Sequence, residues 1–241
     1  MSRVRFVSDV HLSQEDPDRA DRFARFLGEA PSDLARLLVL GDLFDYWVGP
    51  SQAAAAEYAG VLDALAALTR RGVAIDFVPG NRDFLAGADL AARTGMRLLG
   101  DEALVDQGGV RVLATHGDLL CTRDTHYQAY RRFARSPLVR WAFGRLPESV
   151  RSRVARGWER KSASIVAAKP ESTTRIPDEA VERALARGFD AVVCGHAHRL
   201  ERRELPGGVL YVLGSWESGG SWLDLADGRL RFGSVEGPGG V

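Results

Sequence analysis

The chain has 241 residues, 45% of them hydrophobic, with 32 basic and 32 acidic side chains. This length and apolar content fit one globular domain over residues 1–241, and the zero net charge does not favour a nucleic-acid-binding protein. The two cysteines lack a Cys-x-x-Cys spacing, so the sequence predicts neither a disulfide framework nor a zinc knuckle and favours a reducing cytosol.

Short apolar runs alternate with amphipathic runs along most of the chain. Buried strands are predicted over residues 4–7, 37–40, 73–78, 110–114 and 191–194, and helices over 17–29, 53–70, 84–94 and 177–187. The last part of the chain alternates like antiparallel strands over 209–213, 221–225 and 230–235. This order predicts an α/β fold in which a central sheet is covered on both faces.

Four of the five histidines and the only asparagine lie in short polar motifs that follow predicted strands. The motifs are Asp9-Val10-His11, Gly41-Asp42-Leu43-Phe44-Asp45, Gly80-Asn81-Arg82-Asp83, His116-Gly117-Asp118 and Gly195-His196-Ala197-His198. Any one of them is more often an ordinary turn. Because ligands bind beyond the carboxyl ends of strands in such sheets, we expect the five motifs to converge on one site.

The converging side chains offer two carboxylates, one amide oxygen and four imidazoles. They are Asp9, His11, Asp42, Asn81, His116, His196 and His198. This nitrogen and oxygen set suits Mn²⁺, Fe²⁺ or Zn²⁺ better than Ca²⁺, and the absence of thiolates argues against a closed structural zinc site. Seven ligands fit two ions that share a carboxylate, and two ions ~3.5–4 Å apart activate water against phosphoesters. The sequence therefore predicts a dinuclear metal site.

The ordered motif set resembles the calcineurin-like metallophosphoesterase superfamily over nearly the whole chain. The resemblance implies a layered β-sandwich flanked by helices. It also implies one ion held by Asp9, His11, Asp42 and His198, and a second held by Asp42, Asn81, His116 and His196. In this scheme Asp42 bridges the ions, and ligands and loops are oriented by Asp45, Asp83 and Asp118.

Arg82 narrows the resemblance, because most relatives place a histidine after the motif asparagine. The arginine variant is similar to the UDP-2,3-diacylglucosamine hydrolases of lipid A biosynthesis. The segments of this chain that resemble the hydrolase family are residues 8–12, 41–47, 80–85, 116–122 and 212–216. The resemblance implies cleavage of a lipid-linked sugar nucleotide to 2,3-diacylglucosamine 1-phosphate (lipid X) and UMP. Mn²⁺ is the expected ion, with Fe²⁺, Zn²⁺ or Mg²⁺ as alternatives, and the catalytic groups are Arg82, His196 and Asp42.

A planar guanidinium at Arg82 suits a diphosphate because it pairs with two oxygens at once. The alternative is a surface arginine on a turn. Substrate contacts are expected from Asn81, Arg82 and His196, and the resemblance adds Asp124 and Lys161. The family's asparagine just upstream of Lys161 has no counterpart, and Trp158 falls near its position.

Residues 119–175, the basic segment, contain thirteen Arg or Lys and four Asp or Glu. Apolar residues recur among the arginines at helical spacing, which predicts a pair of amphipathic helices that caps an acylated, anionic substrate at a bilayer surface. The alternative is a solvated helical hairpin whose apolar stripe packs on the main domain.

No signal-peptide pattern occurs at the N-terminus and no apolar run approaches the ~20 residues of a membrane helix. We therefore expect a cytoplasmic protein, peripheral at the cytoplasmic face of the inner membrane, with no nucleic acid and no obligate protein partner. Two rival hypotheses stay open. One is a phosphoesterase with another target, such as a nucleotide diphosphate, a phosphoprotein or a nucleic acid. The other is a non-catalytic scaffold of the same fold, like the retromer scaffold subunit, although such scaffolds tend to lose ligands and this chain has lost none.

Overall fold

The computed structural model describes residues 2–167, 175–217 and 219–236, without the side chains of 159–167 and 236. The described strands are β1 (Arg3–Val7), β2 (Leu34–Val39), β3 (Ala74–Phe77), β4 (Arg97–Leu98), β5 (Glu102–Gln107), β6 (Val110–Thr115), β7 (Ala191–Cys194), β8 (Glu201–Leu205), β9 (Gly208–Val212), β10 (Gly219–Ala226) and β11 (Arg229–Glu236). The described helices are α1 (Pro17–Gly28), α2 (Pro50–Ala54), α3 (Ala56–Arg70), α4 (Ala88–Thr94), α5 (Thr125–Ala134), α6 (Pro137–Gly144), α7 (Glu148–Ala167) and α8 (Asp178–Leu185).

The strands form two mixed sheets. The first has the order β11-β10-β1-β2-β3-β4, and the second has the order β5-β6-β7-β9-β8. Strands β1 to β4 are parallel, and so are β6, β7 and β9, while β5, β8, β10 and β11 pair antiparallel with their neighbours. The parallel strands in the middle of each sheet therefore deliver their following loops to the same end of the molecule.

Alternate side chains of the strands divide the core into three layers. Val4 and Phe6 of β1 pack between the sheets with Val112 and Ala114 of β6. The opposite face of the first sheet packs on α1, α3 and α4, and that of the second packs on α8. Because successive strand residues point to opposite faces, one apolar run fills two layers at once. The fold is a β-sandwich flanked by helices, as the family resemblance implies.

The expectation of one central sheet, which came from the strand and helix order alone, is wrong. A strand buried on both faces is a continuous apolar run whether a helix or a second sheet covers it. Strands β4, β5 and β8 were also missed, because β4 has two residues, β5 has only two buried apolar residues and β8 consists mostly of charged residues. The prediction of antiparallel strands in the last part of the chain is only partly right. Strands β10 and β11 pair antiparallel, but β9 runs parallel to β7 and lies in the other sheet.

The helix predicted over 53–70 is divided. Ala55 is extended (φ −72°, ψ 134°), so α2 ends there and α3 starts at the next residue. Gln52 ties the short α2 to the preceding loop, because its side chain accepts from the amide of Val48 and donates to the carbonyl of Tyr46. These local contacts hold α2 on the preceding loop, apart from the axis of α3.

The basic segment forms three helices in its described part rather than a pair. The apolar spacing in the sequence did not indicate that α5 is a separate helix. Pro147 lies between α6 and α7. The apolar stripe is therefore divided between two axes. Much of it faces solvent rather than the main domain, since Leu138 is 73% exposed and Trp141 is 56% exposed. Among the described residues, no helix combines the length and the apolar content needed to cross a bilayer.

Candidate metal centre

The five polar motifs converge at one end of the sandwich, as predicted. Asp9 and His11 follow β1, Asp42 follows β2 and Asn81 follows β3 in the first sheet. The second sheet contributes His116 after β6, and His196 and His198 after β7. Each motif closes a parallel or central strand, so the site is built by the two sheets together.

The backbone of the site is unusual at the motif residues themselves. Six non-glycine residues in the described part of the chain have a positive φ, and five belong to the predicted ligand set: Asp9, His11, Asp42, His196 and His198. Left-handed Asp and His are uncommon, and clusters of such residues are typical of functional sites. No sequence signal marks this conformation when the residue is not glycine.

The loops also approach each other very closely. A Cβ added to Gly80 would lie 2.2 Å from Asp42 Oδ1, and one added to Gly195 would lie 2.1 Å from Asp9 Oδ2. Glycine is therefore required at both motif positions, because any side chain would occupy the space of a ligand carboxylate.

One group of donor atoms forms around Asp9, His11 and His198. The Nε2 atoms of the two histidines lie 3.1 Å apart, and Asp9 Oδ1 lies 3.4 Å from His198 Nε2 and 3.9 Å from His11 Nε2. Two imidazole nitrogens and a carboxylate oxygen converging at this distance are suitable ligands for a divalent transition metal.

A second group adjoins the first and is centred on Asp42 and His116. Asp42 Oδ2 lies 3.7 Å from His116 Nε2 and 4.0 Å from His11 Nε2, and Asn81 Oδ1 lies 2.9 Å from His116 Nε2. Asp9, Asp42 and His116 together satisfy the spacing of a metal site, so Asp9 belongs to both groups. The ring of His196 stands edge-on to that of His116, with centroids 5.0 Å apart.

Asp9 Oδ1 is buried and accepts no hydrogen bond. Burial alone would raise the pKa of Asp9, but its contact with His198 and the charges of the neighbouring histidines hold the pKa well below its usual range. A buried carboxylate oxygen that is ionised and accepts no hydrogen bond is costly unless a cation meets it. The residues present therefore fit a divalent metal.

The histidines differ in their protonation. Burial, reinforced by the charge of His116, lowers the pKa of His196 to about 4, so its imidazole is neutral at pH 7. Burial also opposes a charge on His116, but the carboxylates of Asp42 and Asp9 outweigh it and raise the pKa of His116. The carbonyl oxygen of Leu40, the residue after β2, lies 2.9 Å from His116 Nδ1, and this contact sets the orientation of the His116 ring.

The family model for calcineurin-like phosphoesterases matches residues 2–200. The chain belongs to this family. It is 39% identical to a UDP-2,3-diacylglucosamine hydrolase of Aeromonas salmonicida (strain A449), over 94% of this chain and 91% of that protein. It is also 39% identical to a UDP-2,3-diacylglucosamine hydrolase of Edwardsiella ictaluri (strain 93-146), over 90% of this chain and 86% of that protein. Among solved structures, an archaeal phosphodiesterase with 14% identity covers 97% of this chain and 99% of its own, at a TM-score of 0.47.

Three aspartates of this phosphoesterase support the ligand loops. The carboxylate of Asp83 accepts from the amides of Gly80, Asp42 and Leu43, at 2.9, 3.2 and 2.7 Å. Asp118 accepts from the Tyr127 hydroxyl at 2.6 Å. Asp45 Oδ1 lies 3.2 Å from His11 Nδ1, outside hydrogen-bond geometry. Burial and the Asp42 charge raise the pKa of Asp83 to about 6, although backbone donors oppose this shift.

The predicted substrate residues lie at different depths. The backbone amide of Arg82 donates to Asp42 Oδ1 at 2.9 Å, while its guanidinium stands at the rim, 3.8 Å from Asp42 Oδ2. Asp124 is the N-cap of α5 and accepts from the Tyr127 amide, so it has a structural contact that the sequence pattern did not reveal. Lys161 falls in α7, and its side chain lies outside the described residues.

Residues outside the five motifs also support the site, and the sequence pattern did not predict them. Trp216 donates its amide to the carbonyl of Asp9, and Arg22 of α1 donates to the carbonyl of Trp216 at 2.6 Å. Tyr127 and Arg131 of α5 and Arg135, its C-cap in helical conformation, are spaced four residues apart and therefore share a face of the helix. That spacing is the signal that would have identified them.

Proposed function

We propose that this chain hydrolyses the diphosphate of UDP-2,3-diacylglucosamine to 2,3-diacylglucosamine 1-phosphate and UMP. The name of its relatives supports the substrate. The observation that carries the proposal is the intact ligand set at one end of the sandwich in a chain 39% identical to such a hydrolase. The same observation disfavours the scaffold hypothesis, because a scaffold has no need of converging, buried metal ligands.

We assign two divalent ions, preferably Mn²⁺, to this site. The first is held by Asp9, His11, Asp42 and His198, and the second by Asp42, Asn81, His116 and His196. Two such ions supply positive charge to a phosphoryl group and lower the pKa of water towards neutrality. The bridging role of Asp42 is supported by the position of its Oδ2, 3.7 Å from His116 Nε2 and 4.0 Å from His11 Nε2. Asp9, which belongs to both donor groups, is the competing candidate for the bridge.

The side chains around the ligands bind and orient the diphosphate. In the hydrolysis, water forms a new bond to one phosphorus, the bridging P–O bond breaks, and the other phosphate leaves. Arg82 stands at the rim with a permanently charged guanidinium, which pairs with phosphate oxygens and stabilises their charge. Neutral His196 offers a ring nitrogen to an ion or an N–H to a phosphate oxygen, because its pKa is about 4.

We assign the remaining substrate contacts to Asn81, Asp124 and Lys161. Asp124 lies at the start of α5, directly after the loop that follows His116. For Asp124 this role would add to its capping of the helix.

We also propose that α5, α6 and α7 rest on the bilayer that supplies the acylated substrate. Large apolar side chains are exposed along these helices: Phe133, Leu138, Trp141, Leu146, Val154 and Trp158. Arginines accompany them, and the Arg145 guanidinium lies 4.1 Å from the ring centroid of Trp141. Exposed aromatic and aliphatic groups among arginines are typical of helices that lie in an anionic membrane interface.

The test is to incubate the purified protein with Mn²⁺ and UDP-2,3-diacylglucosamine and to measure UMP by mass spectrometry. We expect UMP and 2,3-diacylglucosamine 1-phosphate in equal amounts. Asp42→Ala removes a shared ligand and should abolish release, while Asp18→Ala, which removes an exposed aspartate of α1, should leave it unchanged. Hydrolysis of simpler nucleotide diphosphates without UMP release from this substrate would refute the substrate and keep the reaction class.

A further inference from the structure

Arg131 of α5 and Arg135, the C-cap of that helix, are joined to two aspartates of the main body. We call these four residues the arginine clamp: Asp101, Asp118, Arg131 and Arg135. Arg131 donates to Asp118 at 2.7 Å and to Asp101 at 2.5 Å, and Arg135 donates to the same Asp101 oxygen at 2.7 Å. Asp118 and Arg131 are buried, so this end of the clamp is held firmly.

The other end of the clamp reaches the ligand loop after β3. Arg135 Nη2 donates to the carbonyl of Gly80 at 2.6 Å, and its guanidinium lies 5.5 Å from the ring centroid of Phe84. These two contacts flank Asn81 and Arg82 in the chain. Arg135 therefore holds the loop on both sides of the residues that face the site.

The carbonyl that Arg135 holds belongs to the peptide bond between Gly80 and Asn81. On its other side this loop packs directly on Asp42, so closely that Gly80 has no room for a Cβ. With the peptide fixed from both sides, the direction of the Asn81 side chain is fixed too, and Asn81 Oδ1 lies 2.9 Å from His116 Nε2. A guanidinium is suited to this task because its fork reaches Asp101 and the carbonyl at once.

We infer that Arg135 is a positioning residue, which holds the Gly80–Asn81 peptide so that Asn81 and Arg82 are placed for metal binding and catalysis. The inference rests on the proposed function of the site. It also links the basic segment to the chemistry, since a shift of α5 would move the peptide that carries Asn81.

The test compares Arg135→Gln and Arg135→Lys with Arg132→Gln. Arg132 is an exposed neighbour on the same helix, so its replacement removes the same charge without touching the loop. We expect Arg135→Gln to lower kcat for UMP release by about 10- to 100-fold with KM nearly unchanged, because small misplacements of reacting groups have effects of this size. Arg135→Lys keeps the charge but not the fork, so it should recover part of the loss.

The second readout is Mn²⁺ binding, measured by calorimetric titration of the metal-free proteins. Arg135→Gln should bind Mn²⁺ more weakly than the wild type, and Arg132→Gln should not. A purely structural Arg135 would lower the melting temperature and leave both Mn²⁺ affinity and kcat within twofold of the wild type, which would overturn the inference. Equal losses in Arg132→Gln would overturn it as well.

Two further controls keep the test decisive. If Arg135→Gln does not fold, Arg135→Lys and Asp101→Asn take its place, and unchanged Mn²⁺ affinity in both would refute the inference. The titration needs no substrate, so a wild type that releases no UMP would refute the proposed function while Mn²⁺ affinity still decides the role of Arg135.

Discussion

Five of the seven proposed metal ligands have a backbone conformation that their residue types do not prefer. A left-handed residue other than glycine costs roughly 1–2 kcal/mol, although Asp and His tolerate it better than branched residues. Backbone hydrogen bonds between the loops offset this cost: the Asp9 amide donates to Gly41, and the His11 amide donates to Asp42. The strained backbone of Asp9 and His11 is therefore stabilised by hydrogen bonds to the neighbouring motif, so the conformations of the two motifs depend on each other.

This dependence predicts the effect of Gly195→Ala. The added methyl would meet Ser8 Oγ at 2.0 Å and Asp9 Oδ2 at 2.1 Å, so Asp9 must move. We expect a destabilisation of about 1–3 kcal/mol, as for other overpacked sites. Because Asp9 would leave its position, we also expect UMP release to fall by at least about 100-fold. Denaturant unfolding and the UMP assay measure the two effects.

The matched control is Gly60→Ala in α3, where the added methyl meets nothing within 4 Å. Alanine is favoured over glycine in a helix, so this variant should gain roughly 0.5–1 kcal/mol of stability with normal activity. Normal UMP release by Gly195→Ala would contradict the close packing of the two loops.

At the scale of the elements, β1 and β10 are joined by a buried ion pair. Arg5 and Asp224 are cross-strand partners, and the guanidinium donates to both carboxylate oxygens at 2.7 and 2.8 Å. The same guanidinium lies over the rings of Phe26 and Trp222, so it also joins α1 to the outer face of the sheet. Asp224 has a second partner in Arg3, at 3.0 Å.

Removing only one partner of this ion pair should lower the free energy of unfolding more than removing both partners. Arg5→Met leaves a buried carboxylate with a weaker partner, and we expect a loss of about 3 kcal/mol. The double variant Arg5→Met with Asp224→Leu removes both charges and should lose clearly less, because no uncompensated charge is left. A double-mutant cycle by urea unfolding measures the difference, and additive losses would show that the pair is not coupled.

The strands and helices that surround the site could be predicted from the sequence, because each is bounded by a clear pattern. Strands β1 to β3, β6 and β7 are apolar runs that end in a polar motif, and α1 begins with a proline after an aspartate cap. The sheet edges could not be predicted. Strand β8 alternates charged residues on an exposed surface, and its membership is decided by its pairing with β9 rather than by its composition.

For the whole molecule, the uneven distribution of charged residues along the chain favours contact with an anionic membrane. Residues 119–175 have a balance of thirteen basic against four acidic residues in a chain with 32 of each. The exposed apolar side chains of α5 to α7 lie within the same segment. Attraction to anionic lipid and insertion of apolar groups should therefore act on one face, and both are needed for stable contact with a membrane.

The corresponding prediction compares Leu138→Asp with Leu104→Asp in vesicle sedimentation. Both leucines are exposed, at 73% and 58%, but Leu104 lies on β5 outside the basic segment. We expect the wild type to bind vesicles that contain phosphatidylglycerol and to dissociate as salt rises. Leu138→Asp should reduce binding at least about fivefold, since it removes an inserted group and adds a negative charge.

Leu104→Asp makes the same chemical change and should bind like the wild type. Equal reductions in the two variants would indicate a general charge effect. Binding of the wild type to neutral and anionic vesicles alike would refute the role of the arginines.

The sequence by itself predicted which motifs come together at one end of the sandwich, because each motif follows a strand that a hydrophobic pattern identifies. It also determined the family, since the order of the motifs and Arg82 are visible without a fold. The tertiary structure alone decided that two sheets share the site, that five of the seven proposed ligands are left-handed and that Asp9 and Asp42 both lie between the donor groups. It also revealed Arg135 behind Asn81, because contacts between residues distant in the chain leave no local pattern.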